Sequence, residues 1–499
     1  MENTNMPQNM PMPAVEEVPP VQHVWKREFT MVDSVISIIC FVLGLMFTHF
    51  VCEYAGGLWG GIMWLLFGIT GAAYVKLKKI PVKRSQAVIF GVALIFCFTP
   101  LFCANGLINF LAAAFTFILY IYLCITLSGA EPFGEHFVYD LFKSVWYQPF
   151  SCYGDGARAA GKLLKNKKAG KNVGFAILGL IIALPLSVIV LMLLSFSDNG
   201  FNSLVNNVFN SLPEFDMIYG VEFAFAFVVW LYLFGALSSA AEPVAPKYFS
   251  SAKLRIVPNA LGYTAVTPIC FFYAVYIAMQ FRYFTAAFTG VLPEGVSYSS
   301  YARQGFFELC VIAVLNLAVI VFLQCFMQRK EDDKPTAPLK IYTTMISVFT
   351  LFLIASAISK MVLYINEMGM TPLRIYTSWF MILLAIIFVL IIISQFVNIK
   401  FWKTAFVSFA LMMSILCFGN IDGMIADYNV TAYETGKLDS IDFGVLEDLG
   451  TPALKHIERL FDAEEKLIAE KAIWAHKFII EENAEYNGFA YFSIPGNIR

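Results

Sequence analysis

The chain has 499 residues, of which 59% are hydrophobic and only 14% are charged, and its mean hydropathy is +0.69. A soluble protein of this composition would lack the polar side chains needed to cover its surface, so lipid must cover much of it. The formal net charge of −2 sums over different compartments, so it excludes no class of partner until charge is followed along the chain.

The apolar runs are about 20 residues long, which is the length that an α-helix needs to cross a membrane. They do not alternate between apolar and polar residues, as the strands of a transmembrane β-barrel do. The sequence therefore predicts an all-α integral membrane protein.

Residues 1–30 precede the first span and are predicted to be a disordered cytoplasmic leader. The first 24 residues are rich in Met, Pro, Asn and Val and contain no apolar run, so they lack the core of a cleavable signal. The first span is therefore expected to start membrane insertion itself.

Eleven apolar runs predict about eleven transmembrane helices. Four of them occupy residues 31–127, and the other seven occupy residues 173–419. The predicted spans are 31–51, 57–75, 86–104, 106–127, 173–196, 219–241, 259–281, 305–327, 341–359, 375–396 and 404–419.

The distribution of Lys and Arg predicts the orientation of these spans. With the N-terminus inside, 23 of the 34 basic residues lie on the cytoplasmic face, and only four lie in the short outer segments. This asymmetry obeys the positive-inside rule at every short loop. An odd number of spans then places residues 420–499 outside.

Residues 128–172 connect the fourth and fifth spans and are predicted to form a cytoplasmic amphipathic helix and a basic loop. Apolar side chains recur at spacings of three and four from Val138 to Pro149, and the basic stretch 158–171 follows. Two locations are possible for this helix. Either it lies along the headgroups, where its cations are attracted to anionic lipid, or it packs on protein.

Residues 420–499 carry 15 acidic and seven basic residues and are predicted to be an acidic, helical tail outside the cytoplasm. Thr451 and Pro452 form its best helix start, and a second helix is expected over residues 463–482. The apolar face of that helix predicts that the tail packs on the membrane domain. This face consists of Leu467, Ile468, Trp474, Phe478 and Ile479.

The sequence contains none of the common nucleotide, zinc, serine-nucleophile or calcium motifs, so no catalytic residue, metal ligand, cofactor or nucleic-acid contact is predicted. The cysteines lie mostly within apolar runs and resemble small core residues, although a pair between Cys52 and Cys103 stays open. Glu222 is the carboxylate that lies deepest in a predicted span.

Charged and tyrosine side chains gather near the outer ends of spans seven to ten. Charge at that depth is costly, so it usually has a partner or a function. The set predicts either a binding site for an anionic headgroup or carboxylate, or a group of interfacial anchors and ion pairs between spans. Its members are Arg282, Tyr301, Arg303, Glu308, Lys360, Tyr364, Arg374 and Tyr376.

Three stretches carry a family resemblance: residues 301–309 (YARQGFFEL), residues 364–376, which end in TPLRIY, and a run that begins with ADYNV at residues 426–430. They resemble the family called domain of unknown function 4173, to which the 4153 group is related. The likeness covers residues 170–455, and family members tend to have Arg in place of Asp427. It implies a multi-pass protein of the bacterial cytoplasmic membrane and no established activity.

The leading functional prediction is a non-enzymatic membrane protein, transport-like or a scaffold, that recognises an anionic amphiphile or lipid headgroup at an outward-facing pocket. One alternative is a membrane-embedded cell-envelope transferase, although the outer loop 197–218 offers few carboxylates for such chemistry. The other is a sensory or regulatory membrane protein whose acidic tail contacts a protein partner.

Overall fold

The computed structural model describes residues 28–51, 58–134, 137–165, 217–241, 255–289, 306–329 and 335–485, with isolated positions between 187 and 203. Every regular element in these ranges is helical, and ten helices are long and apolar enough to cross a membrane. The protein is therefore an all-α multi-pass membrane protein, as its composition predicted.

Ten of the eleven predicted spans coincide with these helices, while the predicted span 173–196 falls mostly outside the described residues. The largest difference is in length. The helix predicted over 341–359 runs from Ala337 to Met368, because helical backbone continues past the end of the apolar run. It ends at Gly369, whose φ of +77° breaks the helix at little steric cost.

Among the described residues of the first half, five helical segments are long and apolar enough to span a membrane, and the third of them is interrupted by a turn. Three short helices follow the fourth segment. Two π-helical turns, Phe47–Val51 and Lys143–Tyr147, continue helices of this half. The helices are α1 (Met31–Met46), α2 (Leu58–Leu77), α3 (Arg84–Phe96), α4 (Thr99–Phe102), α5 (Gly106–Leu127), α6 (Phe137–Phe142), α7 (Gln148–Ser151), α8 (Asp155–Lys165) and α9 (Met217–Ala240).

Helices α1, α2, α3, α5 and α9 pack around one core, which we call the first helix group. Helices α1 and α9 approach closely: a Cβ atom added at Gly44 would lie 2.7 Å from the backbone oxygen of Ala226. The indole N–H of Trp230 on α9 donates a hydrogen bond to Ser37 Oγ on α1 at 3.1 Å. Close packing of this kind is a main source of helix association in lipid.

The short helices α6 to α8 lie at the end of the first helix group where α1 begins. We call this the basic face, because it carries the basic loop 76–84, and the opposite end the tail face. Ser34 Oγ donates to the backbone oxygen of Ala159 at 2.6 Å. Phe142 and Trp146 are more than half exposed on the other side of the segment. The predicted amphipathic helix therefore packs on protein and also presents apolar side chains outward.

The second half of the membrane domain forms a separate core, the second helix group, from α10 to α13. Its buried centre is Asn316, only 1% exposed, which accepts a hydrogen bond from Tyr273 at 2.6 Å and donates one to Thr350 at 2.9 Å. The helices are α10 (Asn259–Thr289), α11 (Phe306–Phe326), α12 (Ala337–Met368), α13 (Pro372–Phe396) and α14 (Phe401–Phe418).

Helix α14 joins the two groups. Its residues Met413, Leu416 and Cys417 belong to the first core, while the indole N–H of Trp379 on α13 donates to the backbone oxygen of Met412 at 2.8 Å. The chain thus returns to its first half before it leaves the membrane domain.

The tail forms a third, smaller core against the ends of α12 and α13, with Met370 and Ile375 packed on it. Thr451 begins a 3₁₀ turn, Thr451–Ala453, and not a long helix. The helices are α15 (Ile421–Glu434), α16 (Phe443–Leu449), α17 (Leu454–Ile457) and α18 (Lys466–Glu485).

The buried face predicted for α18 is only partly correct. Ile468 and Ile479 are buried, and Ala472 completes their face at helical spacing. Leu467 and Trp474 are more than half exposed. The prediction considered only large apolar residues, whereas the packed face of this helix combines two isoleucines with alanines.

Candidate functional site

The eight residues predicted from sequence do not all lie within the described part of the chain. Tyr301 and Arg303 are outside it, and Arg282 lies on α10 where only the backbone is described. The other five occupy three separate places on α11, α12 and α13.

Glu308 and Lys360 form the first of these places. Glu308 is in the first turn of α11 and is exposed, whereas Lys360 on α12 is only 6% exposed. The two side chains lie close enough for their charges to interact. A nearly buried ammonium group needs compensating negative charge, and Glu308 supplies part of it at the tail-face ends of α11 and α12.

Tyr364 and Arg374 form the second place, at the turn between α12 and α13. The guanidinium carbon of Arg374 lies 4.1 Å from the centroid of the Tyr364 ring, within range of a cation–π interaction. Arg374 Nη1 also donates to the backbone oxygens of Met368, at 3.1 Å, and Gly369. Arg374 therefore satisfies the free carbonyl groups at the end of α12 and complements its helix dipole.

Tyr376 lies in the third place, away from Arg374. Two residues along a helix are about 200° apart around its axis, so the two side chains leave α13 in nearly opposite directions. Tyr376 lies near Asp422 of α15 and Cys103, which follows α4. We call Asn105, Tyr376 and Asp422 the polar junction, since they bring together the first helix group, the second helix group and the tail.

Asp422 was not predicted as a site residue. It is 6% exposed, and its Oδ1 atom has no hydrogen-bond partner among the described residues. Burial raises the pKa of Asp422 to about 6, although a hydrogen bond with Asn105 lowers it. The only signal in the sequence is an acidic residue four positions after the last span, and sequence does not show what covers it.

A second carboxylate near the tail face belongs to the first helix group and is half-buried. Glu222 of α9 lies 3.2 Å from His49 Nδ1, in the turn that continues α1. The pair connects the tail-face ends of α1 and α9. Cys103 has a free thiol, and its predicted partner Cys52 lies outside the described residues.

A cavity of about 630 Å³ opens between the α12–α13 turn and the tail. Its wall combines the carboxylates of Glu367, Asp442 and Glu447 with the ammonium group of Lys471 and the ring of Trp474. Burial raises the pKa of Glu447, and the charges of Asp448, Asp442 and Glu482 add to this effect. The cavity therefore holds more negative than positive charge beside an aromatic face.

One wall of this cavity connects the tail to the membrane domain. Asn429 of α15 accepts a hydrogen bond from the backbone N–H of Met370 at 2.6 Å and donates one to its backbone oxygen at 2.8 Å. A Cβ atom at Gly369 would lie 2.8 Å from Asn429 Oδ1, so glycine is needed for this contact. The side chain of Asn429 thus fixes the tail to the turn that links α12 and α13.

Asp427, where members of the resembled family tend to have Arg, makes contacts within the tail. It accepts a hydrogen bond from Arg459 at 2.9 Å and lies 3.2 Å from His456 Nδ1. Arg459 also pairs with Glu434. These exposed contacts hold α15 against the following turn of the tail.

Within the described residues, no group of three or more His, Cys, Asp or Glu side chains is arranged to hold a metal ion.

In the part of the chain that the structure describes, ten helices long and apolar enough to cross a membrane and a helical tail that packs on their ends define a multi-pass helical membrane protein. The chain matches the family described as Domain of unknown function (DUF4153) over residues 89–460, which is most of its length, so it belongs to that family. This is the group that the sequence suggested as a relative of the 4173 family. No curated protein and no solved structure matches the chain.

Proposed function

We propose that this protein is a non-enzymatic membrane protein that binds a small amphiphile with a positively charged group in the cavity between the tail and the α12–α13 turn. The observation that carries the proposal is the lining of that cavity, which includes three carboxylates, one ammonium group and an aromatic ring. A volume of about 630 Å³ falls in the range of small-molecule sites.

Charge favours a cationic group over an anionic one. A cleft that holds mainly one sign of charge attracts the opposite sign and repels its own. Burial is the main cause of the raised pKa of Glu447, and the negative charge of Asp442, which lines the same cavity, adds to it. A bound ammonium group would relieve this repulsion, so part of its binding free energy would come from the cavity itself.

The aromatic and apolar parts of the wall favour an amphiphile over a simple ion. Trp474 is 59% exposed although it lies on a helix with a well-formed buried face. An exposed indole ring beside carboxylates offers an apolar surface and a cation–π partner together. Met368 and Phe443 extend the apolar surface of the same cavity.

The anionic ligand predicted from sequence depended on the cations Arg282, Arg303 and Arg374. Arg374 is occupied by the end of α12 and by Tyr364, and the side chains of the other two lie outside the described residues. The hypothesis of a cationic ligand and that of an anionic ligand therefore predict opposite outcomes in one binding experiment.

The experiment compares tryptamine with indole-3-acetate, which share an indole ring and carry opposite charges. Calorimetry on the purified protein should show binding of tryptamine only. Glu447→Gln and Trp474→Ala should each weaken it by about tenfold, as the loss of one good charged or aromatic contact does. The control is Glu470→Gln, at an exposed position of α18, the helix that carries Trp474. Preference for indole-3-acetate, or equal affinities in the Glu447 and Glu470 variants, would refute the proposal.

A transport-like function is the second candidate, because polar contacts follow one another along α10, α11 and α12. Tyr263 bonds to Thr336 at 2.6 Å near the basic face, Asn316 holds the centre, and the pair Glu308 and Lys360 lies near the tail face. Polar side chains within spans often mark a substrate path. Uptake of tryptamine into proteoliposomes that is lost in Asn316→Leu would support transport, and binding without uptake would support a receptor or scaffold.

Location and orientation form part of the proposal: the bacterial cytoplasmic membrane, with the basic face inside and the tail outside. The excess of basic residues on one face supports it. A reporter active only outside the cytosol should give signal when fused to the C-terminus and none when fused after Lys168. A silent C-terminal fusion would reverse the proposed side of the tail.

A further inference from the structure

An apolar groove lies in the first helix group at the basic face, far from the cavity described above. It has a volume of about 400 Å³ and is enclosed by α2, α3, α5 and α9. Its deep end is formed by Phe67, Gly68 and Tyr120, and its mouth by Lys76 and Val82. Almost all of the exposed surface inside it is apolar.

The depth of the groove matches one leaflet of a bilayer. From Phe67 to Lys76 the wall follows nine residues of α2, which is about 14 Å of helix. Half of a hydrocarbon core of about 30 Å has the same length. The groove therefore runs from the middle of the membrane to the basic face.

The few polar groups in the wall are already satisfied by the protein. Gln86 Nε2 donates to the backbone oxygen of Thr126 at 2.8 Å, and its Oε1 accepts from the backbone N–H of Lys83 at 2.7 Å. The hydroxyl of Tyr120 lies 3.6 Å from Cys97 Sγ. An apolar chain can therefore fill the groove without leaving a hydrogen-bonding group unpaired.

The mouth of the groove is positively charged. Residues 76–84 contain five basic residues and no acidic one. Lys78 is held by Asp33, at 2.6 Å, but Lys76 and Lys79 are exposed and join no ion pair with described residues. Such a loop beside a membrane attracts anionic headgroups.

We propose that this groove binds one anionic phospholipid from the leaflet on the basic face, with an acyl chain between α2, α3 and α5 and the phosphate at Lys76 and Lys79. A lipid satisfies both halves of the site at once, since its apolar and anionic parts are joined at the depth where the groove meets the loop. The site is independent of the function proposed above.

Native mass spectrometry of the purified full chain tests the headgroup. Palmitoyl-oleoyl phosphatidylglycerol should bind more tightly than the phosphatidylcholine with the same chains. The double variant Lys76→Gln, Lys79→Gln should weaken phosphatidylglycerol binding by about fivefold for each cation removed. The control is Lys400→Gln, Lys403→Gln, two exposed cations in another loop of the basic face. Equal losses in both doubles, or equal binding of the two lipids, would overturn the headgroup assignment.

A neighbouring pair of substitutions on α3 tests the groove. Ala87 lines it, whereas Val88 is 63% exposed and does not. Ala87→Phe should weaken binding of both lipids by about tenfold, the expected cost of blocking a site for several methylene groups, and Val88→Phe should leave it unchanged. If Ala87→Phe does not fold, Ala72→Phe blocks the same groove from α2.

Melting temperatures in one detergent separate a lipid from a competing occupant. If a segment of this chain fills the groove, Ala87→Phe will lower the melting temperature without changing lipid binding. That outcome would overturn the proposal, as would equal lipid binding by the Ala87 and Val88 variants.

Discussion

The two helix groups of the membrane domain differ in how closely their helix backbones approach, although side-chain hydrogen bonds join helices in both. In the first, backbones meet directly: a Cβ atom at Gly44 of α1 would lie 2.7 Å from the backbone oxygen of Ala226 on α9, and one at Gly235 of α9 would lie 2.5 Å from that of Pro149 on α7. In the second, side chains bridge the helices, as Asn316 does between Tyr273 and Thr350. Lipid gives helices little hydrophobic reason to associate, so close packing and hydrogen bonds must do so.

The difference teaches where each kind of site can form. Close backbone contact makes the first helix group rigid, and its rigidity leaves a groove of fixed shape at the basic face. In the second helix group, the turn between α12 and α13 has carbonyl groups that Arg374 caps. This turn supports the tail and lines the cavity between the turn and the tail. The predictions below test this comparison.

Gly235→Ala should have the largest effect, because the new methyl group meets a backbone oxygen that no side-chain rotation can move. We expect a loss of about 3 kcal/mol of stability, the upper end of the usual cost of overpacking. A melting curve in detergent measures it. Gly91→Ala is the control, since a Cβ atom there meets nothing within 4 Å. Equal melting temperatures in the two variants would show that close packing does not hold α7 against the first helix group.

Asp422→Asn should stabilise the protein at neutral pH, because it removes the cost of burying an ionised carboxylate at the polar junction. The folded pKa is about 6 and the ordinary value is 3.8, so the folded state binds more protons between these values. Stability therefore falls as pH rises from about 4 to 6 and stays lower above it. The substitution should recover about 2–3 kcal/mol at pH 8 and little at pH 4.

Melting temperatures of the wild type and Asp422→Asn between pH 4 and 8 measure this difference. Asp439→Asn, at an exposed position of the tail, is the control. A gap between wild type and Asp422→Asn that does not grow with pH would contradict burial of the carboxylate.

Asn316→Leu should weaken the second helix group by about 1 kcal/mol, because interhelical hydrogen bonds in membranes contribute modestly. Tyr273→Phe should cost less. Since Tyr273 donates to Asn316, the double variant should cost less than the sum of the two. Additive losses would mean that the hydrogen bond contributes nothing to association.

Arg374→Gln should have the smallest effect, about 0.5–1 kcal/mol. It removes one interaction of a positive charge with the α12 dipole and one cation–π interaction with Tyr364. Arg374→Lys keeps the charge but not the planar fork, so it should recover part of the loss. Tryptamine binding should stay within twofold in both variants. Binding of indole-3-acetate that Arg374→Gln abolishes with unchanged melting temperature would return Arg374 to the ligand site that sequence predicted.

The sequence predicted a single set of eight site residues and no pairs within it. Lys360 and Glu308 were singled out because charge within spans is rare, and only the structure places the charge of Glu308 near Lys360. Asp422 was missed because an acidic residue after a span looks like ordinary surface. Asp422 meets Asn105, which is more than 300 residues away in the chain, and no local pattern contains that contact.

Sequence alone determined that the protein is α-helical, where its spans lie and which of its faces is basic. These properties depend on the length of apolar runs and the charge of each loop, and both are local. Tertiary structure decided which polar residues meet. Arg374 and Tyr376 are two positions apart and were assigned to one site, but the turn of α13 sends one to the end of α12 and the other to Asp422. Helix rotation and the packing of distant segments separate neighbours in sequence, and only the folded chain shows the result.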